Sequence, residues 1–171
     1  MRLLTLLLLL ALPGCAAWNR AVYGYDRTIT ITSSEPGVRV MWQPTHIMGY
    51  YVGKTSLTEM GVTPFKQNTF GEGSVDIWAV KGDLLLRTTL QWQEPEQTID
   101  FSKAKKMTND EQCCVDGKVY VGMGAEWARI SWGEPGKINK TTNAFGRSEQ
   151  WVYGSGSYLY FDNGKLTTIQ N

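Results

Sequence analysis

Histidine is all but missing from this chain of 171 residues: His46 is the only one, and cysteine occurs three times, at Cys15, Cys113 and Cys114. One histidine and no second cysteine pair argue against a metal centre, which gathers three or four such ligands. Charge of either sign is scarce too. Seventeen Lys and Arg balance 16 Asp and Glu for a net charge of +1, without the basic excess that a nucleic-acid partner needs. Long apolar runs are lacking as well. The longest, Leu3 to Leu12 with Thr5 inside it, falls short of the roughly 20 residues that cross a bilayer as a helix.

Catalytic signatures are equally thin, and neither catalytic residues nor a cofactor is expected. Gly53-Lys54-Thr55 ends like a phosphate-binding loop, but Met48 stands where that loop needs its first glycine, so a turn between strands is expected. His46 has no Asp, Glu or Cys close in sequence to orient it and reads as an exposed loop residue. Asp76 with Asp83, or Glu134 with Glu149, would be the acid and base pairs to consider, and nothing in their surroundings marks them as more than solvated carboxylates.

What the chain does contain is 18 Gly and 7 Trp beside many Thr, Val and Tyr, a composition of sheets and tight turns. The expected fold class is mainly β with a small α+β unit at the C-terminus. Residues 27–33 alternate strictly, with Ile29 and Ile31 on one side and Thr28, Thr30 and Thr32 on the other, a half-buried strand. Ser34-Glu35-Pro36-Gly37 reads as a turn and Val38-Arg39-Val40-Met41-Trp42 as the returning strand of a hairpin. Further strands are expected at 50–52, 74–80, 84–92 and 97–101, with Lys81-Gly82-Asp83 joining a second hairpin. Residues 103–112 are polar and charged without an apolar face, and read as the linker between two units, with a helical turn as an option within it. Beyond it, Met123, Trp127 and Ile130 fall on one helical face, and Gly133 with Pro135 stops that helix. Strands then follow around 137–143, 149–153, 157–161 and 165–169, with hairpin turns at Gly154-Ser155-Gly156 and Asp162-Asn163-Gly164. This antiparallel meander with a helix on its face should bury Trp151, Tyr153, Leu159, Phe161, Leu166 and Ile169 in part.

At the N-terminus, Arg2, the apolar run and Leu12-Pro13-Gly14-Cys15 have the layout of a secretory signal. Leu12-Pro13-Gly14-Cys15 resembles the bacterial lipobox. The resemblance implies removal of residues 1–14, acylation of Cys15, and a tether over residues 15–26. Ala16 after the cysteine implies the outer membrane, facing the periplasm. Residues 27–102 resemble the PEGA-type β-sandwich domain, through Ile29-Thr30-Ile31-Thr32-Ser33-Ser34-Glu35-Pro36-Gly37-Val38-Arg39-Val40 and Tyr51-Val52-Gly53-Lys54-Thr55-Ser56-Leu57. The family's Gly-x-Thr-Pro is matched by Gly61-Val62-Thr63-Pro64, whereas Ser56 replaces proline in the earlier copy. Residues 113–171 resemble the SmpA/OmlA (BamE-like) envelope lipoprotein fold and a related uncharacterised family of small secreted proteins. Gly122-Met123, Gly133-Glu134-Pro135, Glu149-Gln150-Trp151-Val152-Tyr153-Gly154 and the stretch from Tyr158 to Gln170 carry that likeness. Gly124 stands where that family commonly has a capping Ser or Thr, which implies a weaker helix cap.

These resemblances imply a non-enzymatic envelope lipoprotein that binds or scaffolds an envelope protein or peptidoglycan, attached to the membrane by its N-terminal lipid. The alternative is a secreted carbohydrate-acting or carbohydrate-binding protein. Candidate binding-surface aromatics are Trp42, Trp78, Trp92, Trp151 and Tyr153, with core packing as the competing role. For Cys113 and Cys114 three states are open: a strained ring between neighbours, a bond to another chain, or free thiols.

Overall fold

A computed structural model describes residues 25–44, 46–47, 50–51, 55–70 and 73–171. Cys15, the signal segment, nearly all of the tether and Met48 lie outside the described residues. The fold is mainly β. Strands β1 (Tyr25–Ser33), β6 (Phe65–Phe70) and β9 (Glu96–Ile99) form a three-stranded sheet in the order β6-β1-β9, antiparallel on one side of β1 and parallel on the other. Strands β2 (Arg39–Trp42), β5 (Thr58–Val62), β7 (Ser74–Lys81), β8 (Leu84–Gln91) and β10 (Lys105–Lys106) form a second sheet in the order β10-β8-β7-β2-β5. Strands β3 (His46–Ile47) and β4 (Tyr50–Tyr51) pair with each other. The two larger sheets close on a core of Ile29, Ile31, Val38, Val40, Ile77, Ala79, Leu90, Ile99 and Phe101. As expected, the β1 threonines face away from it. Thr28 donates to Asn68 at 3.1 Å, and the Thr32 and Thr98 hydroxyls lie 3.0 Å apart.

The hairpin expected over residues 27–42 is not formed. β1 pairs with β6 and β9, β2 pairs with β5 and β7, and Ser34–Gly37 instead carries the chain from one sheet to the other. The reason lies in the apolar residues on both sides of the turn. Ile29, Ile31, Val38 and Val40 are all essentially inaccessible to water, and two strands bury such faces against each other by stacking in opposite sheets. Thr63 holds this corner. Its hydroxyl accepts from the Val38 N–H at 3.1 Å and lies 2.7 Å from the Ser33 hydroxyl, and its backbone bonds both Val38 and Gly37. The expected β7–β8 hairpin is present, with Lys81 opposite Leu84 and Gly82 at φ 59° in its turn.

Residues 103–112 are not a free linker. Lys105 and Lys106 add a strand to the edge of β8, and the Met107 N–H donates to the Asp83 carbonyl at 2.8 Å. Thr108 then caps α1 (Asn109–Val115) in a reciprocal capping box with Glu111. The lysines sit on an exposed edge where charge is harmless, which is why polarity alone suggested a linker. Thr108-Asn109-Asp110-Glu111 is the missed signal, the Thr-x-x-Glu of a helix start. The end of α1 buries Cys114 and Val115 against Met41, Trp78, Val80 and Leu85 of the second sheet and Leu57 just before β5, joined by Met107, Trp127 and Ile130.

Helix α2 (Ala125–Trp132) starts at Gly124 without a side-chain cap and ends at Gly133. Met123 precedes the helix instead of forming part of its face; Ala128 and Ser131 are its most buried residues, and Trp127 and Ile130 flank them. β11 (Lys137–Asn143), β12 (Gly146–Val152), β13 (Tyr158–Asp162) and β14 (Lys165–Gln170) follow as an antiparallel meander in chain order. Asn163 (φ 49°) and Gly164 (φ 78°) make the Asn-Gly turn between the last two. Trp151, Leu159, Phe161 and Leu166 pack with Met123 and Ala128 beneath α2. The helices are thus shared between two cores, and the expected division at residues 103–112 is bridged by packed side chains.

Two substitutions test this architecture. Thr63→Val leaves the buried Val38 N–H without an acceptor, and should cost about 1–3 kcal/mol in urea unfolding. Gly133 is at φ 81°, ψ −172°, and a Cβ there would meet the Ser56 nitrogen at 2.8 Å and Thr55 backbone at 3.1 Å. That backbone region is essentially closed to other residues, so Gly133→Ala should cost about 2–4 kcal/mol, read as a lowered midpoint of a single unfolding transition.

Candidate functional site

Of the aromatics singled out from the sequence, two are excluded as binding surface. Trp151 is fully buried, its indole N–H donating to the Glu149 carboxylate at 2.7 Å and its ring covered by the Arg129 guanidinium at 4.4 Å. Trp78 is 9% exposed and packs edge-on to Trp127. Arg87 stacks over both rings, at 4.4 Å and 5.3 Å, and bonds Glu111 of α1 at 2.9 Å. Both tryptophans were needed to fill cores, because no other side chain covers as much area between layers. Tyr153 is half-buried, with its hydroxyl donating to the Gly133 carbonyl at 3.0 Å and its ring against Trp132; burial pushes its pKa up. Trp42 and Trp92 meet edge to face at 6.4 Å, partly exposed on the rim of the sandwich core.

The carboxylates considered as acid and base are each engaged separately. Asp76 accepts from Thr89 at 2.8 Å, Asp83 faces Lys106 at 3.7 Å, and Glu134 pairs with Arg129. Burial pushes the Glu149 carboxyl up, but the Trp151 N–H with Arg147 and Lys140 outweighs it and holds the group below its ordinary value. His46 lies in β3 opposite Tyr51. Among the described residues, no three His, Cys, Asp or Glu side chains gather as metal ligands.

Cys113 and Cys114 are free thiols on α1. Successive side chains on an α-helix diverge by about 100°, which takes the ring between neighbours out of reach in this conformation. The Cys114 sulfur is buried, donates to the Trp127 carbonyl at 3.4 Å, and is pushed up to about 12 by burial and then by Asp110. Burial, followed by Asp116 and Asp110, also raises Cys113.

One exposed surface is the outer face of the C-terminal meander. Leu159 and Phe161 point into the core, so Tyr158 and Tyr160 point out, half-buried among their neighbours. A row of polar side chains crosses all four strands there. Asn139 donates to Gln150 at 2.9 Å, Gln150 to the Tyr160 hydroxyl at 3.1 Å, and Tyr160 to Gln170 at 3.0 Å. These residues were not selected from the sequence. The alternation Tyr158-Leu159-Tyr160-Phe161 carried the signal, but which pair faced out depended on the side the helix covers.

The chain was compared with family models, with curated proteins and with solved structures, and none matches it.

The thiols give a test of the helix packing. In the native protein at pH 8, Cys114 should react with iodoacetamide at least about 100-fold more slowly than in urea, with Cys113 labelled first, as peptide mapping by mass spectrometry will show.

Proposed function

We propose that this chain is a non-enzymatic envelope lipoprotein that serves as a binding or scaffolding module. In this reading residues 1–14 are a signal peptide, Cys15 carries the lipid, and the folded part faces the periplasm from the outer membrane. The observation that carries the binding role is the open face of the β11–β14 sheet, whose aromatic and amide side chains are held in one hydrogen-bonded row. The core shared by α1 and α2 supports it by filling the inner side of that sheet.

The N-terminal unit is read as a PEGA-like sandwich, supported by the two facing sheets and by Thr63 of Gly61-Val62-Thr63-Pro64 at their corner. The C-terminal unit is read as BamE-like, supported by two short helices followed by an antiparallel meander. Among the described residues no helix is long and apolar enough to cross a membrane. In this proposal the attachment is the lipid on Cys15. Acyl chains contribute about 0.8 kcal/mol per buried CH₂, and two or more hold a protein firmly.

The lipid is tested at Cys15. The mature protein should begin there with the added mass of acyl chains, and Cys15→Ser should move it from the membrane to the soluble fraction. Unchanged partitioning of that variant would overturn the lipoprotein reading.

A further inference from the structure

We infer that the outer face of the β11–β14 sheet binds a linear, uncharged polysaccharide strand; this rests on the proposed role of the chain as a tethered binding module and names its ligand class. The row Asn139, Gln150, Tyr160 and Gln170 crosses four strands, a length of about 14 Å at the usual strand spacing. Tyr158 and Tyr160 project from the same face two residues apart on β13, and Val152 lies opposite Tyr158 on β12.

Hydrogen-bonding capacity along the row decides between partner classes. The bonds that fix it leave one amide N–H on Asn139, one on Gln150 and both on Gln170, together with the Asn139 carbonyl oxygen. A dry apolar protein surface would cover those donors without pairing them, which is unfavourable. Sugar hydroxyls both donate and accept, and can meet each of them. The C–H faces of a pyranose ring are apolar and suit the tyrosine rings, whose bodies are apolar; the Tyr160 tip is already bonded to Gln150 and Gln170.

Charge points the same way. Ionised side chains on this face are confined to its margins, Lys137 at the start of β11 and Asp162 with Lys165 at the β13–β14 turn, where the Ser148 hydroxyl also holds Asp162. The central row is neutral. A nucleic acid or an acidic peptide would find no cationic stripe there, whereas an uncharged glycan needs none. The prearranged side chains also reduce the ordering cost on binding, because the row is held before the ligand arrives.

The test uses the mature chain with three uncharged probes: chitohexaose and cellohexaose in solution, and insoluble chitin in co-sedimentation. Saturable binding to at least one is expected. It should fall about tenfold or more in Tyr158→Ala/Tyr160→Ala and several-fold in Tyr160→Phe, which keeps the ring but breaks the row. Phe145→Ser, at the 94% exposed tip of the β11–β12 hairpin and outside the hydrogen-bonded row, should bind as the parent does. Melting curves will establish that each variant is folded; if the double variant is not, Asn139→Ala/Gln150→Ala replaces it with the same expected loss. No saturable binding of the parent to any probe, or binding that no face variant weakens, overturns the glycan assignment. The broader tethered-module reading fails separately, if Cys15→Ser partitions with membranes unchanged.

Discussion

Four consecutive residues of β7, Ile77-Trp78-Ala79-Val80, are buried, although a strand sends alternate side chains to opposite faces. Both faces of the second sheet must therefore be covered. Ile77 and Ala79 meet the three-stranded sheet, while Trp78 and Val80 meet α1, Met107, Trp127 and Ile130. At about 1.5–3 kcal/mol for each fully buried large apolar side chain, covering the second face is worth as much as several hydrogen bonds. The layering follows from this: sheet, sheet, helices, meander, with Trp127 packed in the cores on both sides of the helices.

Polar groups work at the corners of these layers. Thr63 satisfies the backbone where the chain passes between sheets, and the Leu57 N–H donates to the Ile130 carbonyl at 2.9 Å where sandwich meets α2. Arg87 covers the outer edge of the same seam by stacking on two indoles while pairing with Glu111, whose side chain is only 18% exposed. The other ion pairs of the sandwich, such as Lys81 with Glu35 and Lys103 with Asp100, are well exposed and contribute little. Local bonding thus fixes the geometry that apolar burial drives.

The functional consequence is a reassignment of aromatic residues. Trp78 and Trp151 fill interiors, Trp127 joins two of them, and Tyr158 and Tyr160 lie partly exposed on the outer face of the meander, as Trp42 and Trp92 do on the rim of the sandwich. A surface offering half-buried tyrosines beside amides differs from an apolar docking patch, because a ligand that covers its polar atoms must also pair them.

Alternation and turn chemistry made most strands legible. The Ile29/Ile31 face, the β7–β8 hairpin and the C-terminal meander with its Asn-Gly turn are local properties, each written within a few residues. The lipobox likeness at Cys15 is local in the same way. Partner choice among strands is not local: Ser34-Glu35-Pro36-Gly37 is compatible with a hairpin and with a passage between sheets, and only the competition for core area selects the second. Nor could the sequence reveal that Lys105 and Lys106 complete a sheet edge, or that Trp78 and Trp151 are buried while Tyr158 and Tyr160 point outward. Those outcomes depend on which faces meet, and faces are defined only once distant segments have packed together.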